Sequence, residues 1–176
     1  MKALIVIDAQ NEFSAHGKRP VPAYTDVINV IIATAAQFRD NGGPIAWVRH
    51  FNKPEESPAF MPGTWGAEFA GGMGPLAGAA NEKEFQKDVY GAFTGTDLGA
   101  WLKELDVTEV QIAGFYTFGC VSTTAREAIM ANFTVHIDEK ATGSCELSHE
   151  LLGQLSAEQV KNSALLQLAA MGAIVQ

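Results

Sequence analysis

The 176-residue chain contains little cysteine and little positive charge. Two cysteines, Cys120 and Cys145, are too few for the disulfide framework that stabilises many small secreted domains. The 12 Lys and Arg residues are outnumbered by 20 Asp and Glu residues, so the formal net charge is -8, and no basic cluster offsets it. We therefore expect neither nucleic acid nor an anionic membrane surface as a partner.

Long hydrophobic runs are also missing. The apolar start of the chain ends at Ile7, which makes it too short for the core of a signal peptide or for a membrane span. We therefore expect a cytoplasmic protein. Hydrophobic residues make up 47% of the chain and charged residues 18%, a globular composition, and the length suits a single domain over residues 1–176.

Short aliphatic runs alternate with segments of helical periodicity along the chain. The runs predict strands at residues 4–7, 45–48, 84–89, 110–113, 133–137 and 173–175. The periodic segments predict helices at 25–40, 96–105, directly after Cys120, and from a capping box at Ser156 to about residue 170. This alternation predicts an α/β fold of three layers, in which helices cover both faces of a doubly wound, mostly parallel, Rossmann-like sheet.

Residues 52–81 are the one long segment without periodicity. The segment holds four of the seven prolines and the aromatic residues Phe60, Trp65 and Phe69. A segment of this length is either a lid or binding loop or a surface insertion. Its aromatic residues would also suit an interface between subunits.

Three chemically active residues lie at the predicted carboxyl ends of strands, where open parallel sheets bind their ligands. They are Asp8, Lys87 and Cys120. Cys120 also precedes a helix, whose N-terminus favours the thiolate form of a cysteine. A carboxylate could accept the thiol proton, and an ammonium group could hold the thiolate. A buried structural cysteine, a turn-forming aspartate and a solvated lysine would give the same pattern.

Four segments resemble the isochorismatase-like cysteine hydrolases, a family that includes nicotinamidases, N-carbamoylsarcosine amidases and ureide-cleaving enzymes. The segments are residues 4–13, 85–98 and 114–128, together with a weaker match at 138–142. They contain, in order, Asp8 with Gln10 and Phe13, the lysine motif around Lys87, and the cysteine motif around Cys120. The resemblance implies the isochorismatase-like form of the three-layer fold.

The resemblance also implies a chemistry. Asp8, Lys87 and Cys120 would form a catalytic triad that hydrolyses a C–N bond of a small amide or ureide (N-carbamoyl) compound through a thioester-type intermediate. The family pattern implies a cis peptide bond between Phe115 and Tyr116, and an oxyanion hole made by the backbone N–H groups of Tyr116 and Cys120. It further implies a homo-oligomer, a dimer or a tetramer, and no cofactor.

The chain departs from the family pattern in two places. Nicotinamidases carry a metal-binding Asp-x-His and a later histidine, whereas this chain reads Arg49-His50-Phe51-Asn52 and has no histidine from there to residue 86. His50 alone cannot build a three-ligand site, so we predict no metal. Tyr116 and Phe118 stand where smaller residues are common, which predicts a narrow, aromatic substrate pocket. Its candidate lining residues are Phe13, His50, Trp65, Tyr90, Phe93, Thr117 and Phe118.

Other functions remain open at this point. A vinyl-ether hydrolase of the isochorismatase type, or a family member that binds a ligand without turnover, would share these motifs. A phosphoacceptor signalling domain would also place an aspartate after its first strand, but it would begin with paired acidic residues and would not need the Cys120 motif. Arg19 or Arg49 could supply a positive charge for a substrate carboxylate.

Overall fold

A seven-stranded sheet and four helices form the framework of the computed structural model, which describes residues 1–176. In chain order the elements are β1 (Lys2–Ile7), α1 (Tyr24–Asp40), β2 (Ile45–His50), β3 (Glu82–Lys87), α2 (Leu98–Glu104), β4 (Glu109–Phe115), α3 (Ser122–Met130), β5 (Thr134–Ile137), β6 (Thr142–Gly143), β7 (Leu147–His149), β8 (Gly153–Leu155), α4 (Ala157–Ala170) and β9 (Ile174–Val175). The strand order is β3-β2-β1-β4-β5-β9, with β6 beside β4, and every pair in this sheet is parallel. No helix has both the length and the apolar character needed to cross a bilayer.

Helices cover both faces of the sheet. Leu4 and Val6 of β1 pack with α1 on one face, whereas Ala3, Ile5 and Ile7 belong to the core formed with α2, α3 and α4 on the other. Because both faces of β1 are buried, its sequence is a continuous aliphatic run rather than an alternation. The three-layer α/β architecture predicted from the sequence is confirmed.

The differences from the predicted elements are local. β3 begins at Glu82 and ends at Lys87, two residues before the predicted limits, and β6 to β8 were not predicted at all. β7 and β8 form an antiparallel hairpin separate from the main sheet, and all six of their residues are exposed. A hairpin with no buried face has no alternation of apolar and polar residues, so its sequence lacks the usual strand signal.

The long segment after β2 packs against the loop that follows β1. Its short helical turns lie at Trp65–Ala67 and Ala70–Gly72, and Phe60 is buried rather than exposed. The buried carboxylate of Glu12 joins the two segments by accepting hydrogen bonds from the backbone N–H groups of Lys18 and Phe60. The first part of residues 52–81 is therefore a fixed wall beside the carboxyl edge of the sheet.

Gly114 permits the close approach of β4 to β1. Its φ is +123°, and a Cβ there would lie 1.8 Å from the carbonyl oxygen of Ile7. We expect Gly114→Ala to lower the free energy of unfolding by about 3 kcal/mol or more, because the strand backbone must move. Gly42→Ala is the control, since its φ of +67° is also left-handed but open space surrounds it, and we expect a cost of about 1 kcal/mol. Chemical denaturation measures both values, and equal costs would contradict the steric explanation.

Candidate active site

The register of the sheet brings the predicted residues to one edge. Ile7, the last residue of β1, lies between Val48 of β2 and Gly114 of β4, so Asp8 leaves the centre of the sheet. His50 lies opposite Lys87 where β2 and β3 end. Because all these strands are parallel, their carboxyl ends meet at the same edge.

Asp8 and Lys87 form an ion pair that is almost completely buried. The Nζ atom of Lys87 lies 2.8 Å from Oδ2 of Asp8, and the two side chains are 0% and 1% exposed. Oδ1 of Asp8 is also buried and has no hydrogen-bond partner. Asp8 adopts a left-handed backbone conformation with φ of 52°, which non-glycine residues rarely adopt and which is found often at functional sites. One carboxylate oxygen is thus held by the ammonium group while the other remains free to accept a proton.

Cys120 lies in the turn between β4 and α3. This turn spans Thr117–Val121, with non-helical backbone at Gly119, and it follows the peptide bond between Phe115 and Tyr116, which is cis. The Cys120 side chain is largely buried, with a residue exposure of 9%. Its Sγ atom, a carboxylate oxygen of Asp8 and a ring nitrogen of His50 all lie within 4.8 Å of one another. The structure therefore brings together the three residues predicted for catalysis and adds His50 to them.

Hydrogen bonds join the second half of the lysine motif to the last residues of the cysteine motif. The Oγ1 atom of Thr124 accepts a hydrogen bond from the backbone N–H of Ala92. The Glu127 carboxylate accepts hydrogen bonds from the backbone N–H of Phe93 and from the Thr94 hydroxyl. These bonds attach the segment after β3 to α3, and so fix Lys87 and Cys120 relative to each other.

The environment of Cys120 keeps its thiol protonated. Burial raises the pKa of Cys120, and the carboxylate of Asp8 raises it further, while the ammonium group of Lys87 lowers it by less. The expectation that the helix N-terminus favours a thiolate is therefore wrong for this resting state, because desolvation and the neighbouring carboxylate outweigh it. A base must remove the proton before the sulfur can act as a nucleophile.

Lys87 remains charged despite its burial. Desolvation on its own would lower the pKa of Lys87, but the charge of Asp8, the hydrogen bond to it and the interaction with the Cys120 sulfur reverse the effect, so the pKa is raised above its usual value. The site at neutral pH consists of an ammonium group, a carboxylate and a neutral thiol.

Both raised pKa values predict a loss of stability in alkaline solution. In the unfolded chain Cys120 ionises from its usual pKa of 9.0 and Lys87 loses its proton from 10.5, whereas the folded protein retains both protons to higher pH. Each group therefore contributes a fall in the free energy of unfolding of about 1.4 kcal/mol per pH unit above its unfolded pKa. We expect denaturation of the wild type to show a decline beginning near pH 9. Cys120→Ala should remove that first part and keep the decline above pH 10, to which Lys87 and the raised pKa values of Tyr24 and Tyr116 contribute. Identical pH profiles for the two proteins would contradict the raised thiol pKa.

One cavity of about 450 Å³ opens over this edge, and it is called the main cavity here. Of the predicted pocket residues it is lined by Phe13, His50, Tyr90 and Phe118, together with Asp8, Tyr116 and Cys120. The rings of Phe13, Phe60 and Tyr116 pack on one another with centroid distances of 4.8 and 5.1 Å, and Tyr116 stacks on Phe118. These aromatic rings form one wall of the main cavity, and Phe60 was not among the residues predicted for it.

Three predicted pocket residues do not line the main cavity. Trp65 is half-exposed on a neighbouring loop, where its carbonyl oxygen accepts a hydrogen bond from the Asn11 side chain. Phe93 packs against Phe133 beside the hydrophobic core. Thr117 is fully buried and shares a hydrogen bond with Thr142.

A family profile matches almost the whole chain. The profile described as the Isochorismatase domain matches residues 2–176. The chain belongs to the isochorismatase family. A nicotinamidase/pyrazinamidase from Mycobacterium tuberculosis is 31% identical over 150 residues, which are 73% of this chain and 79% of that protein. The crystal structure of an isochorismatase from Pseudomonas putida is 28% identical, with a TM-score of 0.90 over 99% of this chain and 86% of that one. An N-carbamoylsarcosine amidase from Thermoplasma acidophilum shares the fold, with 24% identity, a TM-score of 0.80, and coverage of 99% and 95%.

The metal site of isochorismatase-family nicotinamidases does not fit the residues of this chain. The ring of His50 is already engaged on both sides, since Nδ1 lies 3.2 Å from Nζ of Lys87 and Nε2 lies 2.7 Å from Oδ1 of Asn52. The Lys87 ammonium group contacts both Asp8 and His50 and would repel a cation between them. The only nearby group of potential metal ligands consists of Asp8, His50 and Cys120. Lys87 already contacts the first two of these residues, so the group does not offer a metal site.

Several residues that line the main cavity were not predicted to do so. They are Arg19, Asn52, Glu56, Ser57, Phe60, Asp88, Val89, Cys145 and Leu147. Among them, Arg19 was predicted only as a possible positive charge for a substrate carboxylate. Asn52 could have been found from the two-residue spacing to His50, which places both side chains on one side of an extended segment. Cys145 and Leu147 follow β6, a strand too short to predict, so the sequence carried no signal that this segment returns to the cavity.

Proposed function

We propose that this isochorismatase-family hydrolase is a cysteine-dependent amidohydrolase that cleaves the C–N bond of a small amide or ureide. The observation that carries the proposal is the buried ion pair of Asp8 and Lys87 beside a protonated Cys120 thiol, at the floor of a cavity of suitable size. A carboxylate with one free oxygen beside a thiol is the arrangement that a proton transfer during nucleophilic attack requires.

Acylation of the enzyme would begin with that proton transfer. The free oxygen of Asp8 takes the thiol proton as Sγ of Cys120 attacks the substrate carbonyl carbon, and the carbonyl electron pair moves to oxygen. The backbone N–H groups of Tyr116 and Cys120 would hold the resulting oxyanion. Asp8 then returns its proton to the substrate nitrogen, the C–N bond breaks, and ammonia or an amine leaves a thioester, or a thiocarbamate in the case of a ureide.

Hydrolysis of the thioester would use the same groups in reverse. Water attacks the acyl carbon while Asp8 accepts its proton, the C–S bond breaks, and the proton returns to the sulfur as the acid departs. Lys87 keeps Asp8 ionised between these steps and compensates its charge in the buried site. No step requires a metal ion.

The names of the relatives support amide chemistry as the class. The similar protein from Mycobacterium tuberculosis is a nicotinamidase/pyrazinamidase, and one protein of the same fold is an N-carbamoylsarcosine amidase. Both names describe cleavage of a non-peptide C–N bond. The substrate of this chain should differ from that of a metal-dependent nicotinamidase, because the main cavity is lined by Tyr116, Phe118 and Phe60 rather than by a metal site.

A product assay tests the proposal. Small amides and ureides are incubated with the protein and with Cys120→Ala, and released ammonia or amine is measured with and without a chelator. We expect release that is lost in the variant and unchanged by chelation. Isochorismate is included with a pyruvate assay. Cleavage of isochorismate that survives in Cys120→Ala, together with silence across the amides, would replace this proposal by vinyl-ether hydrolysis.

A further inference from the structure

We propose that Arg19 forms an anion-binding subsite of the main cavity, so that the substrate carries a carboxylate in addition to its amide or ureide group. This inference rests on the proposed function, because it places the second group of the same substrate. The lining of the cavity, with aromatic rings beside both Cys120 and Arg19, suits a carbonyl and a carboxylate joined by an apolar part.

Arg19 differs from the other arginines in its partners. Arg39 is paired with Glu82, Arg49 is paired with Glu84, and Arg126 binds the side chains of Ser122 and Gln167. The guanidinium group of Arg19 has no carboxylate partner, and its one side-chain contact is the Ser57 hydroxyl at 3.4 Å. Arg19 is also the only arginine that lines the main cavity. The sequence offered Arg19 and Arg49 as binding partners for a substrate carboxylate. Because Glu84 already neutralises Arg49, Arg19 is the one that remains.

The backbone of Arg19 is held in place from two sides. Its N–H donates to the carbonyl oxygen of Glu12 at 3.1 Å, and its carbonyl oxygen accepts a hydrogen bond from the Tyr116 hydroxyl at 3.3 Å. The Glu12 carboxylate also binds the neighbouring N–H of Lys18. A cation with a fixed backbone and an unpaired side chain loses less conformational freedom on binding an anion than one on a mobile loop.

Tyr116 joins the backbone of Arg19 to the turn that carries Cys120. Its carbonyl oxygen accepts hydrogen bonds from the N–H groups of Gly119 and Val121, on either side of Cys120, while its hydroxyl donates to the backbone carbonyl oxygen of Arg19. The backbone of Arg19 is therefore held about one tyrosine side chain from the turn of the nucleophile. The rings of Phe13 and Phe118 pack against Tyr116 along this path, which favours an apolar middle part of the ligand.

The acidic residues that line the cavity lie beside lysine side chains rather than beside Arg19. Asp8 is neutralised by Lys87 at 2.8 Å. Lys53 lies between Asp88 and Glu56, at 3.6 and 4.0 Å from their carboxylates. Arg19 is consequently the cation of the lining that remains for a ligand, and a guanidinium group can bind a carboxylate through two parallel hydrogen bonds.

Alkylation of Cys120 by a matched pair of reagents tests this subsite without requiring amide turnover. N-chloroacetyl-leucine carries a carboxylate, and N-chloroacetyl-leucinamide is its neutral counterpart. With either reagent the Cys120 sulfur forms a bond to the chloromethyl carbon, chloride leaves with the bonding electrons, and the thiol proton passes to Asp8 or solvent. The rate of modification is measured by mass spectrometry of the Cys120 peptide, which separates it from Cys145.

We expect the wild type to react with the carboxylate reagent about tenfold faster than with the neutral one, after division by the rates of a free thiol. Arg19→Gln should remove this preference by slowing the carboxylate reagent to about the rate of the neutral one, whereas Arg19→Lys should keep part of it. Lys103→Gln, which removes the same charge from the exposed surface of α2, should keep all of it. The preference should also decrease at high salt, because the ion pair is screened.

The experiments distinguish a failure of the Arg19 subsite from a failure of the proposed amidohydrolase function. No preference in the wild type, or an equal preference in Arg19→Gln, would overturn the subsite while amide turnover could still be measured. A preference that depends on Arg19, in a protein that cleaves no amide or ureide, would support the subsite and count against the amidohydrolase. A Cys120 that neither reagent modifies would overturn both.

Discussion

Cys120→Ala is expected to abolish cleavage of every amide or ureide that the protein hydrolyses, with kcat reduced by at least about 10³-fold. The variant lacks the only atom that the proposed mechanism allows to bond to the substrate carbon, and neither Asp8 nor Lys87 can replace it. The fold should be retained, because alanine fills most of the space of a cysteine that lies at the cavity rather than deep in the core. Product release and kcat are measured beside circular dichroism of the two proteins.

Cys145→Ala is the matched control, since it removes the second thiol of the same cavity. Cys145 lines the main cavity, so its replacement should affect KM rather than the covalent step. Intact-mass measurement on a slow substrate should show an acyl adduct on the wild type and on Cys145→Ala and none on Cys120→Ala. An adduct that forms on Cys120→Ala, or kcat within tenfold of the wild type, would exclude the thioester mechanism.

The sequence predicted the framework of the site because the information there is local. Asp8 directly follows β1, Lys87 is the last residue of β3, and Cys120 lies in the turn after β4. Parallel strands carry their carboxyl ends to a common edge. Aliphatic runs predict β1 and β4 from a few residues, and the lysine motif marks Lys87, so this placement needed no tertiary detail. The register that sets His50 opposite Lys87 was not predictable, because it depends on how β2 and β3 pair.

The walls of the cavity could be predicted only in part. Phe13 and Phe118 lie within the motifs, next to the residues that form the site, and they line it. Trp65 and Phe60 are both aromatic residues of the long segment 52–81, and the sequence gives no reason to prefer one of them as a pocket residue. Phe60 is buried because its N–H binds the buried carboxylate of Glu12, whereas Trp65 stays at the surface. Such long-range bonds within an irregular segment carry no periodic signal in the sequence.

The protonation state of Cys120 could not be predicted from the sequence either. Position before a helix predicts a stabilised thiolate, and this effect of the helix dipole is worth about 0.3–1 kcal/mol at an exposed site. Burial and the adjacent carboxylate act in the opposite direction and are stronger here, so the pKa of Cys120 is raised. Only the tertiary structure shows that the carboxylate is close enough to matter.

Asp8→Asn is expected to reduce amide turnover by about 10³-fold or more while making the Cys120 thiol more reactive toward a simple alkylating agent. The carboxylate of Asp8 raises the pKa of Cys120 and the ammonium group of Lys87 lowers it. Removing the carboxylate leaves burial as the remaining effect that opposes Lys87, so the pKa should fall and the thiolate fraction at neutral pH should rise. Alkylation by iodoacetamide needs only the thiolate. Amide cleavage also needs an acid to protonate the leaving nitrogen, and asparagine cannot supply that proton.

The opposite responses separate proton transfer from a merely structural role for Asp8. Asparagine leaves the buried ammonium group of Lys87 without its counter-ion, at a cost of about 3–5 kcal/mol, so the free energy of unfolding is measured for every variant. A simple loss of structure would lower alkylation and turnover together. Lys87→Met provides the reverse control: it removes the cation that lowers the pKa of Cys120, so alkylation should slow as well as turnover. If Asp8→Asn keeps near-normal turnover, or if its thiol reacts more slowly than that of the wild type while the protein remains folded, then Asp8 is not the base of the reaction.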